Sequence, residues 1–412
     1  MKLLCIFYKE AFFPLKNLMD LEPKQKYPAL FAALDLTPFV KELRKSSPLG
    51  RKGRDTESML RALLAGLCEE IPTFTKLVSR LKSDLRFRYY CGFGIDEEPP
   101  SVSTFSRFFQ RLTNQRLPER IFRYLVDVCR REGLIVGEKV AIDSSEIDAY
   151  EKAVPKSKTI QDGQHPTWGS KLDSHGNQVT WFGYKLHLAV DADTGLPLAL
   201  EVTPAHVHDS QMAIPLMRQV LEQVKEAWAK PKYYLMDAGY DIQDIYRFAL
   251  EHQAQAIIPL NLRRAKEPPE GITFQGTPIC SAGFSMTYWG SDTRTKTLKF
   301  RCPHATGHVD CPFGMSWCSS SNYGMVVKKC VSEDPRRFVL PHRGSRLWQQ
   351  LYHQRTAVER TFSLQKERLG ANDLTVRGIK KVVTAQYLSC TAILLSRLAA
   401  HFLNKAEKGQ AA

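Results

Sequence analysis

The sequence lacks the marks of a secreted or membrane-spanning protein. Its ten cysteines are too sparse over 412 residues for a disulfide scaffold, and we expect them to be reduced thiols. No run reaches the roughly 20 apolar residues that a membrane-spanning helix needs. Lys9 and Glu10 interrupt the apolar start of the chain and no small-residue cleavage site follows, so we expect no signal peptide. These absences predict a cytoplasmic protein without a membrane partner.

Acidic residues are also in short supply. The chain has 58 Lys and Arg against 43 Asp and Glu, a formal net charge of +15. Most of the excess lies in one stretch, 263–381, which has 20 basic and 9 acidic residues. Such a concentration is typical of a surface that neutralises nucleic-acid phosphates, although a solvated basic face that keeps the protein soluble is an alternative. A Gly-Lys-Ser/Thr phosphate-binding loop is absent too, so we expect no nucleoside triphosphate as a partner.

The first third of the chain is predicted to be helical. Residues 1–50 form a helix-leaning extension, and 51–136 form a small helical domain in which Ser101 or Ser103 can cap a helix with one apolar face. Arg107 and Arg111 lie on the flank of that face. Short helices with basic residues are typical of a helix-turn-helix that binds DNA. A bundle that packs on the rest of the protein, or on a second copy, fits the same pattern.

From residue 137 the pattern changes to alternating strands and helices. The order β-β-β-α-β-α-β predicts an α/β domain over 137–400. Within it, 262–345 is rich in Pro, Gly, Ser and Thr and is predicted to be a β-leaning insertion, while 401–412 form a C-terminal tail. Asp209 is predicted to cap the helix that begins at Ser210.

Three acidic residues are placed to meet in this α/β domain. Asp143 and Asp237 each end a short β-rich run, and Glu359 lies in a later helical segment. Carboxylates at the ends of neighbouring strands can hold hard divalent cations such as Mg²⁺. A pair of ions about 4 Å apart can bind both the attacking and the leaving oxygen of a phosphoryl transfer. Isolated aspartates after strands are common, so these two alone indicate little.

A more specific pattern surrounds the glutamate. Tyr352, Arg355, Glu359 and Lys366 are spaced at 0, 3, 7 and 14. In one continuous helix these positions fall within an arc of about 60°, so all four side chains are predicted to share a face. An exposed ion pair between Arg355 and Glu359 is the alternative. It would contribute only about 0.2–0.5 kcal/mol and would not account for the Tyr and the Lys.

This spacing resembles the Tyr-x2-Arg-x3-Glu-x6-Lys signature of DDE transposases from bacterial insertion sequences, of the family four or five type. The segment 141–145 is similar to the first motif of that group and 235–241 to the second, and the likeness extends over about residues 50–400. The resemblance implies an RNase H-like mixed-sheet core with the β-leaning insertion, preceded by the helical domain. It also implies Asp143, Asp237 and Glu359 as ligands of two Mg²⁺ or Mn²⁺ ions.

The resemblance implies a function as well. Such a transposase would bind the terminal inverted repeats of its element and would cut and join double-stranded DNA. It would act as a homodimer at the bacterial nucleoid. We expect Tyr352, Arg355 and Lys366 to be catalytic residues together with the three acids, and we expect the side chains of Arg355, Lys366, Arg360, Arg107 and Arg111 to contact DNA. Two alternatives stay open: a metal-dependent nuclease of the same fold that cuts without joining, and a DNA-binding regulator with a zinc-containing insertion.

Soft metal ligands cluster in the insertion. Cys302, His304, Cys311 and Cys318 supply the four ligands that a tetrahedral structural zinc needs. Their spacing is irregular and no C-x2-C pair is present, so free thiols packed in a β insertion are the preferred interpretation. A zinc ion here would be structural and separate from the oxygen-rich catalytic ions.

Overall fold

The computed structural model describes residues 26–43, 53–71, 73–94, 96–172, 175–226, 228–263 and 265–410. The chain divides into two compact units, a helical unit of residues 1–129 with 365–412 and an α/β unit of residues 130–364. Most of the predicted N-terminal extension and the last two residues of the predicted tail lie outside the described residues. Residues 365–400, predicted as part of the α/β domain, belong to the helical unit.

Among the described residues, seven helices precede the first strand, and one long helix ends the described chain. Their bounds are α1 Lys26–Ala32, α2 Thr37–Leu43, α3 Thr56–Cys68, α4 Phe74–Ser83, α5 Leu85–Tyr90, α6 Val102–Asn114, α7 Leu117–Arg131 and, last in the chain, α12 Ile379–Gln410. Side chains that accept a backbone N–H begin several of these helices. The predicted cap of α6 is confirmed, because the Oγ of Ser101 accepts the N–H of Thr104 at 3.3 Å.

Helix α12 is the core helix of the helical unit and packs on α1, α3 and α6. Of the described helices it alone, over 379–406, is long and apolar enough to cross a membrane by length and composition, and 72% of its most apolar window is buried within the protein. The apolar run of this helix is interrupted in the sequence by Gln386, Ser389 and Thr391. These polar residues are buried as well.

The α/β unit contains a six-stranded mixed sheet and a second, smaller sheet. The strands are β1 Lys139–Asp148, β2 Thr167–Leu172, β3 Gln178–Asp191, β4 Pro197–Pro204, β5 Tyr233–Leu235, β6 Gln255–Ile257, β7 Thr287–Asp292, β8 Thr297–Arg301 and β9 Val326–Cys330. The helices are α8 Ser210–Glu222, α9 Gln243–Glu251, α10 Arg346–His353 and α11 Thr356–Glu367, whose last turn enters the helical unit. The predicted order of strands and helices is confirmed, with β2 as an additional strand in a segment predicted to be turn-rich.

The six-stranded sheet has the order β2-β3-β1-β5-β6, and β4 also pairs with β3. Strand β3 runs antiparallel to β1, β2 and β4, whereas β5 runs parallel to both β1 and β6. The central strands are buried apolar runs, as expected for strands covered on both faces. Gly183 of β3 approaches β1 so closely that a Cβ there would lie 2.1 Å from the carbonyl oxygen of Ile147.

The insertion folds as predicted into a β-leaning module. Strands β7, β8 and β9 form an antiparallel sheet. Leu298 and Phe300 of β8 point into a small core with Met286, Val331 and Phe338. This core is separate from the larger sheet, so the insertion has its own hydrophobic support.

Candidate active site

Asp143 and Asp237 occupy matching positions on two neighbouring parallel strands. The parallel pairing of β1 with β5 ends at Ala141 and Leu235, and each aspartate lies two residues past that pair. Asp237 follows its strand as predicted. Asp143 does not end a strand, because β1 continues to Asp148 through its antiparallel pairing with β3. The two carboxyl groups are therefore brought to one edge of the parallel part of the sheet.

The Asp143 carboxyl group is largely buried, with 18% of its side chain exposed. Its Oδ1 accepts the N–H of Ser144 at 2.8 Å and its Oδ2 accepts Nη1 of Arg355 at 2.9 Å. Burial raises the pKa of Asp143 to about 7, and repulsion from Asp237 adds to the rise. The two hydrogen bonds lower the pKa but do not offset burial. A cation that binds near the Asp143 carboxyl group would lower its pKa and favour the charged form.

The Asp237 carboxyl group is in a similar environment. Its Oδ1 accepts the N–H of Gly239 at 2.8 Å, which holds the side chain over the turn that follows β5. Burial raises the pKa of Asp237 above its ordinary value, against the lowering effects of the Gly239 bond and of Arg355. Burial is thus the main cause of both raised pKa values, and repulsion between carboxylates adds to it; a cation bound at the site would favour the charged form of both groups.

The segment with the Tyr-Arg-Glu-Lys pattern is two helices rather than the single helix that was predicted. Helix α10 ends at His353 and α11 begins at Thr356, so Arg355 lies in the turn between them. In this turn the backbone makes tighter i→i−3 hydrogen bonds, including the N–H of Arg355 to the carbonyl of Tyr352 at 3.0 Å. The turn places the Arg355 guanidinium between Asp143 and Glu359.

Arg355 joins the two parts of the site. Its Nη2 lies 2.5 Å from Oε1 of Glu359, in addition to its bond to Asp143. The Arg355 side chain is 16% exposed and that of Glu359 50% exposed. The adjacent carboxylates, Asp143 first, raise the pKa of Arg355 against the effect of burial, so it stays charged. The guanidinium is therefore the counter-ion of the cluster in this structure.

The other residues predicted for this site lie on α10 and α11. Tyr352 is half-buried and stacks on Trp348, with ring centroids 5.1 Å apart, and the Arg355 guanidinium lies 5.8 Å from its ring. Arg360 is exposed and donates to the Oγ1 of Thr356 at 3.0 Å. Lys366 is on α11 but falls in the helical unit.

The two arginines predicted to contact DNA through α6 differ in their environments. Arg107 is exposed, and its Nη2 lies 3.4 Å from the Oγ1 of Thr104. Arg111 is half-buried with its guanidinium 5.3 Å from the Phe108 ring, and burial lowers its pKa. The Arg107 side chain is therefore accessible to a ligand in solvent, whereas the Arg111 side chain packs partly against the protein.

No metal-binding cluster is preformed among the described residues, where no group of three or more His, Cys, Asp or Glu side chains is placed to hold an ion. The predicted zinc ligands Cys302, His304, Cys311 and Cys318 do line one small cavity, together with Cys280. They do not form the predicted site, since the Nδ1 of His304 instead accepts the N–H of Cys311 at 3.3 Å. The nine cysteines in the described part of the chain are unpaired thiols.

Sequence reasoning missed an ion pair beside the aspartates. Asp209 does not cap α8, because its carboxylate accepts no N–H of that helix. It pairs instead with Lys185 of β3, at 2.8 Å between Nζ and Oδ1. The negative charge of Asp209 is among the causes that raise the pKa of both Asp143 and Asp237. Lys185 could have been noticed as a lysine within an otherwise apolar strand, but its partner could not.

Comparison with known proteins was made for the whole chain. Residues 136–395 match the family model described as Transposase DDE domain, and residues 16–111 match Transposase domain (DUF772). Probable transposases for insertion sequence element ISH11, from two strains of Halobacterium salinarum, are 24% identical over 180 residues, which cover 44% of this chain and 47% of each relative. The chain thus spans about half the length of the curated relatives it matches.

Among solved structures, the chain is similar to a cryo-EM structure of the piggyBac transposase synaptic complex with hairpin DNA. The TM-score is 0.40 at 10% identity, covering 98% of this chain and 77% of that one.

Proposed function

Because the chain belongs to the transposase DDE domain family, whose model covers residues 136–395, we propose that it is an insertion-sequence DNA transposase. One observation carries the proposal in the structure. Asp143 and Asp237 occupy matching positions past two parallel strands, and Arg355 links Asp143 to Glu359. Two carboxylates bonded to one guanidinium, with a third acid at the matching position of the neighbouring parallel strand, suit phosphoryl transfer on DNA better than a structural role.

We propose that Asp143, Asp237 and Glu359 hold divalent cations, two Mg²⁺ or Mn²⁺ ions. The donor set fits, since hard cations prefer carboxylate oxygens and the two aspartates occupy matching positions past neighbouring parallel strands. When bound, such ions lower the pKa of an attacking water or 3′-hydroxyl and stabilise the leaving 3′-oxygen. Glu359 would have to exchange its bond with Arg355 to take part.

Arg355 would then be free to bind the DNA backbone. Its planar guanidinium can hold two phosphate oxygens in a bidentate contact, which a lysine cannot do. On α11 the exposed Arg360 and the half-buried Lys366 supply charges for flanking phosphates, and Tyr352 lies near enough to Arg355 to orient it or to stack on a base. The protein's part is therefore to position phosphates against the carboxylates.

The strand order and directions of the large sheet support an RNase H-like core. We further propose that the Tyr-Arg-Glu-Lys motif is the signature of the family four or five type of insertion sequences. The substrate would be double-stranded DNA with terminal inverted repeats, bound by a homodimer so that two ends are held together. A location at the bacterial nucleoid stays a prediction from the sequence.

Glu359→Gln tests the proposal. It should abolish metal-dependent cleavage of DNA that carries the element ends while leaving binding to those ends intact. Glu367→Gln, an exposed glutamate two turns further along α11, is the matched control and should cleave normally. If Glu359→Gln cleaves DNA as the unmodified protein does, Glu359 is not a metal ligand that cleavage requires. Joined products distinguish a transposase from a nuclease that only cuts, and binding without cleavage in the unmodified protein would favour a regulator.

A further inference from the structure

An ion pair lies beside the two aspartates and takes no part in the proposed function. The Nζ of Lys185 donates to Oδ1 of Asp209 at 2.8 Å and to the carbonyl oxygen of Val207 at 2.9 Å. The Lys185 side chain is 13% exposed and that of Asp209 33% exposed. A partly buried ion pair is a weak source of stability, because desolvation of the two charges offsets their attraction. A role of the Lys185–Asp209 ion pair other than stability would depend on its position near the two aspartates.

The Asp209 carboxylate does not cap helix α8, so its ion pair with Lys185 is not a consequence of helix capping. Asp209 immediately precedes α8 and has helical backbone angles, φ −58° and ψ −39°, instead of the extended angles typical of a cap. The first N–H of the helix, that of Ser210, bonds to the Nδ1 of His208 at 3.3 Å. The carboxylate is therefore held by β3, not by the helix it precedes.

The packing of α8 places this pair near the candidate metal site. Helix α8 packs on β3 and β4 and also on the turn 238–240, which directly follows Asp237. Strand β3 pairs along its length with β1, which carries Asp143. The charge of Asp209 accordingly reaches Asp143 and Asp237, and also Tyr240 in that turn, and it raises the pKa of all three.

Arg355 pairs with Asp143 and Glu359, and Lys185 pairs with Asp209. We propose that Asp209 and Lys185 are positioning residues that set the affinity of the Asp143 and Asp237 site for divalent cations. Asp209 adds attraction without contacting the ion, and Lys185 fixes the carboxylate in place and reduces that attraction. This inference rests on the proposed metal-dependent function.

The two residues should then act on metal affinity with opposite signs. Asp209→Asn removes a negative charge and leaves the lysine, so Mn²⁺ binding should weaken by about three- to tenfold. Lys185→Met leaves the carboxylate uncompensated, so Mn²⁺ binding should tighten by a similar factor. The double variant Lys185→Met with Asp209→Asn should bind within about twofold of the unmodified protein. A pair that serves only stability would weaken binding in both single variants.

The measurement is a Mn²⁺ titration of the full-length protein at pH 8 without DNA, with free Mn²⁺ followed by its paramagnetic resonance signal. The matched control is Lys232 with Glu138, a 2.7 Å ion pair at the other end of β1 and β5. Lys232→Met and Glu138→Gln should leave the Mn²⁺ affinity unchanged. Thermal melting reports whether each variant is folded.

The outcomes separate this inference from the proposed function. Asp143→Asn should abolish Mn²⁺ binding, and normal binding by that variant would refute the metal ligands themselves. If Asp143→Asn loses binding but Asp209→Asn and Lys185→Met shift affinity in the same direction, or not at all, the inference is overturned while the proposed function stands. Should Asp209→Asn fail to fold, the comparison of Lys185→Met with the double variant still measures the loss of the Asp209 charge and must show weaker binding.

Discussion

The Nη1 of Arg355 lies 2.9 Å from the Oδ2 of Asp143, although 212 residues separate them in sequence. The same guanidinium also bonds to Glu359, four residues further on. In the absence of a cation, a side chain that is proposed to bind phosphate thus neutralises two of the proposed metal ligands. Arg355 and the cations would compete for the same carboxylates, which predicts an effect of Arg355 on metal binding as well as on DNA cleavage.

Arg355→Gln should tighten Mn²⁺ binding in the absence of DNA and should reduce strand cleavage by at least about 100-fold. The binding gain is expected because a competing positive charge is removed, and the cleavage loss because a bidentate phosphate contact is removed. Mn²⁺ titration and a cleavage assay on element-end DNA measure the two effects.

Arg355→Lys is the control. It keeps the positive charge but not the planar guanidinium that makes a bidentate contact, so Mn²⁺ affinity should stay normal and cleavage should recover only in part. Weaker Mn²⁺ binding by Arg355→Gln would contradict the competition.

The break between α10 and α11 shows where prediction from the sequence stopped. The spacing of Tyr352, Arg355, Glu359 and Lys366 predicted one shared helical face, but it assumed one helix. The Arg355 side chain in the turn bonds to Asp143, in a strand 212 residues earlier, and nothing local to 346–367 signals that partner. Helical periodicity reports the face that a segment would present, not its partner from elsewhere in the fold.

Asp209 illustrates the same limit for a single residue. A capping rule considers only the N–H groups of the next turn, and on that basis Asp209 before Ser210 was predicted to cap α8. Lys185 of β3 offers a charged donor at 2.8 Å and binds the carboxylate instead. The strand positions of Asp143 and Asp237 were predictable because buried apolar runs precede both, whereas the contacts of their neighbours depend on tertiary structure.

Gly183→Ala is expected to destabilise the α/β unit. An added Cβ would lie 2.1 Å from the carbonyl oxygen of Ile147 and 2.8 Å from the backbone nitrogen of Ala149, so the backbone of β1 or β3 must shift. Overpacking of this kind costs about 1–3 kcal/mol or more. Urea unfolding should therefore show a lower midpoint. Gly53→Ala, where no atom lies within 4 Å of the new Cβ, is the control and should unfold as the unmodified protein does.

His342 should make the stability of the insertion depend on pH. Its ring is 6% exposed and stacks on Tyr288 with centroids 4.6 Å apart. Burial lowers the pKa of His342 to about 4, and the neighbouring Arg343 adds to the effect. The folded protein therefore keeps this ring neutral while the unfolded chain takes up a proton near pH 6.5. The stability is complete above that pH and is lost as pH falls from about 6.5 to 4, by about 3 kcal/mol for the full shift.

His342→Phe should flatten that dependence. The phenyl ring can keep the stack on Tyr288 but does not titrate, so the difference in stability between pH 7 and pH 4.5 should shrink. Chemical denaturation at both pH values measures it. His187, whose pKa burial also lowers to about 4, remains in the variant and keeps its own contribution, so the slope should be reduced without vanishing. An unchanged slope would show that His342 is protonated in the folded protein.

Arg107 and Arg111 decide between the two interpretations of α6. If this helix binds DNA, Arg107→Ala should weaken binding to duplex DNA of any sequence and reduce the slope of log affinity against log salt by about 1, because an exposed phosphate contact is lost. The melting temperature of Arg107→Ala should not change.

Arg111→Ala, on the same helix, is the comparison. It removes a half-buried guanidinium that packs 5.3 Å from the Phe108 ring, and it should lower the melting temperature with a smaller effect on the salt slope. The two variants differ by one turn, so a general loss of helix would affect both alike. A normal salt slope for Arg107→Ala would leave α6 as a packing helix and move the DNA contacts of the protein to the basic stretch around Arg355.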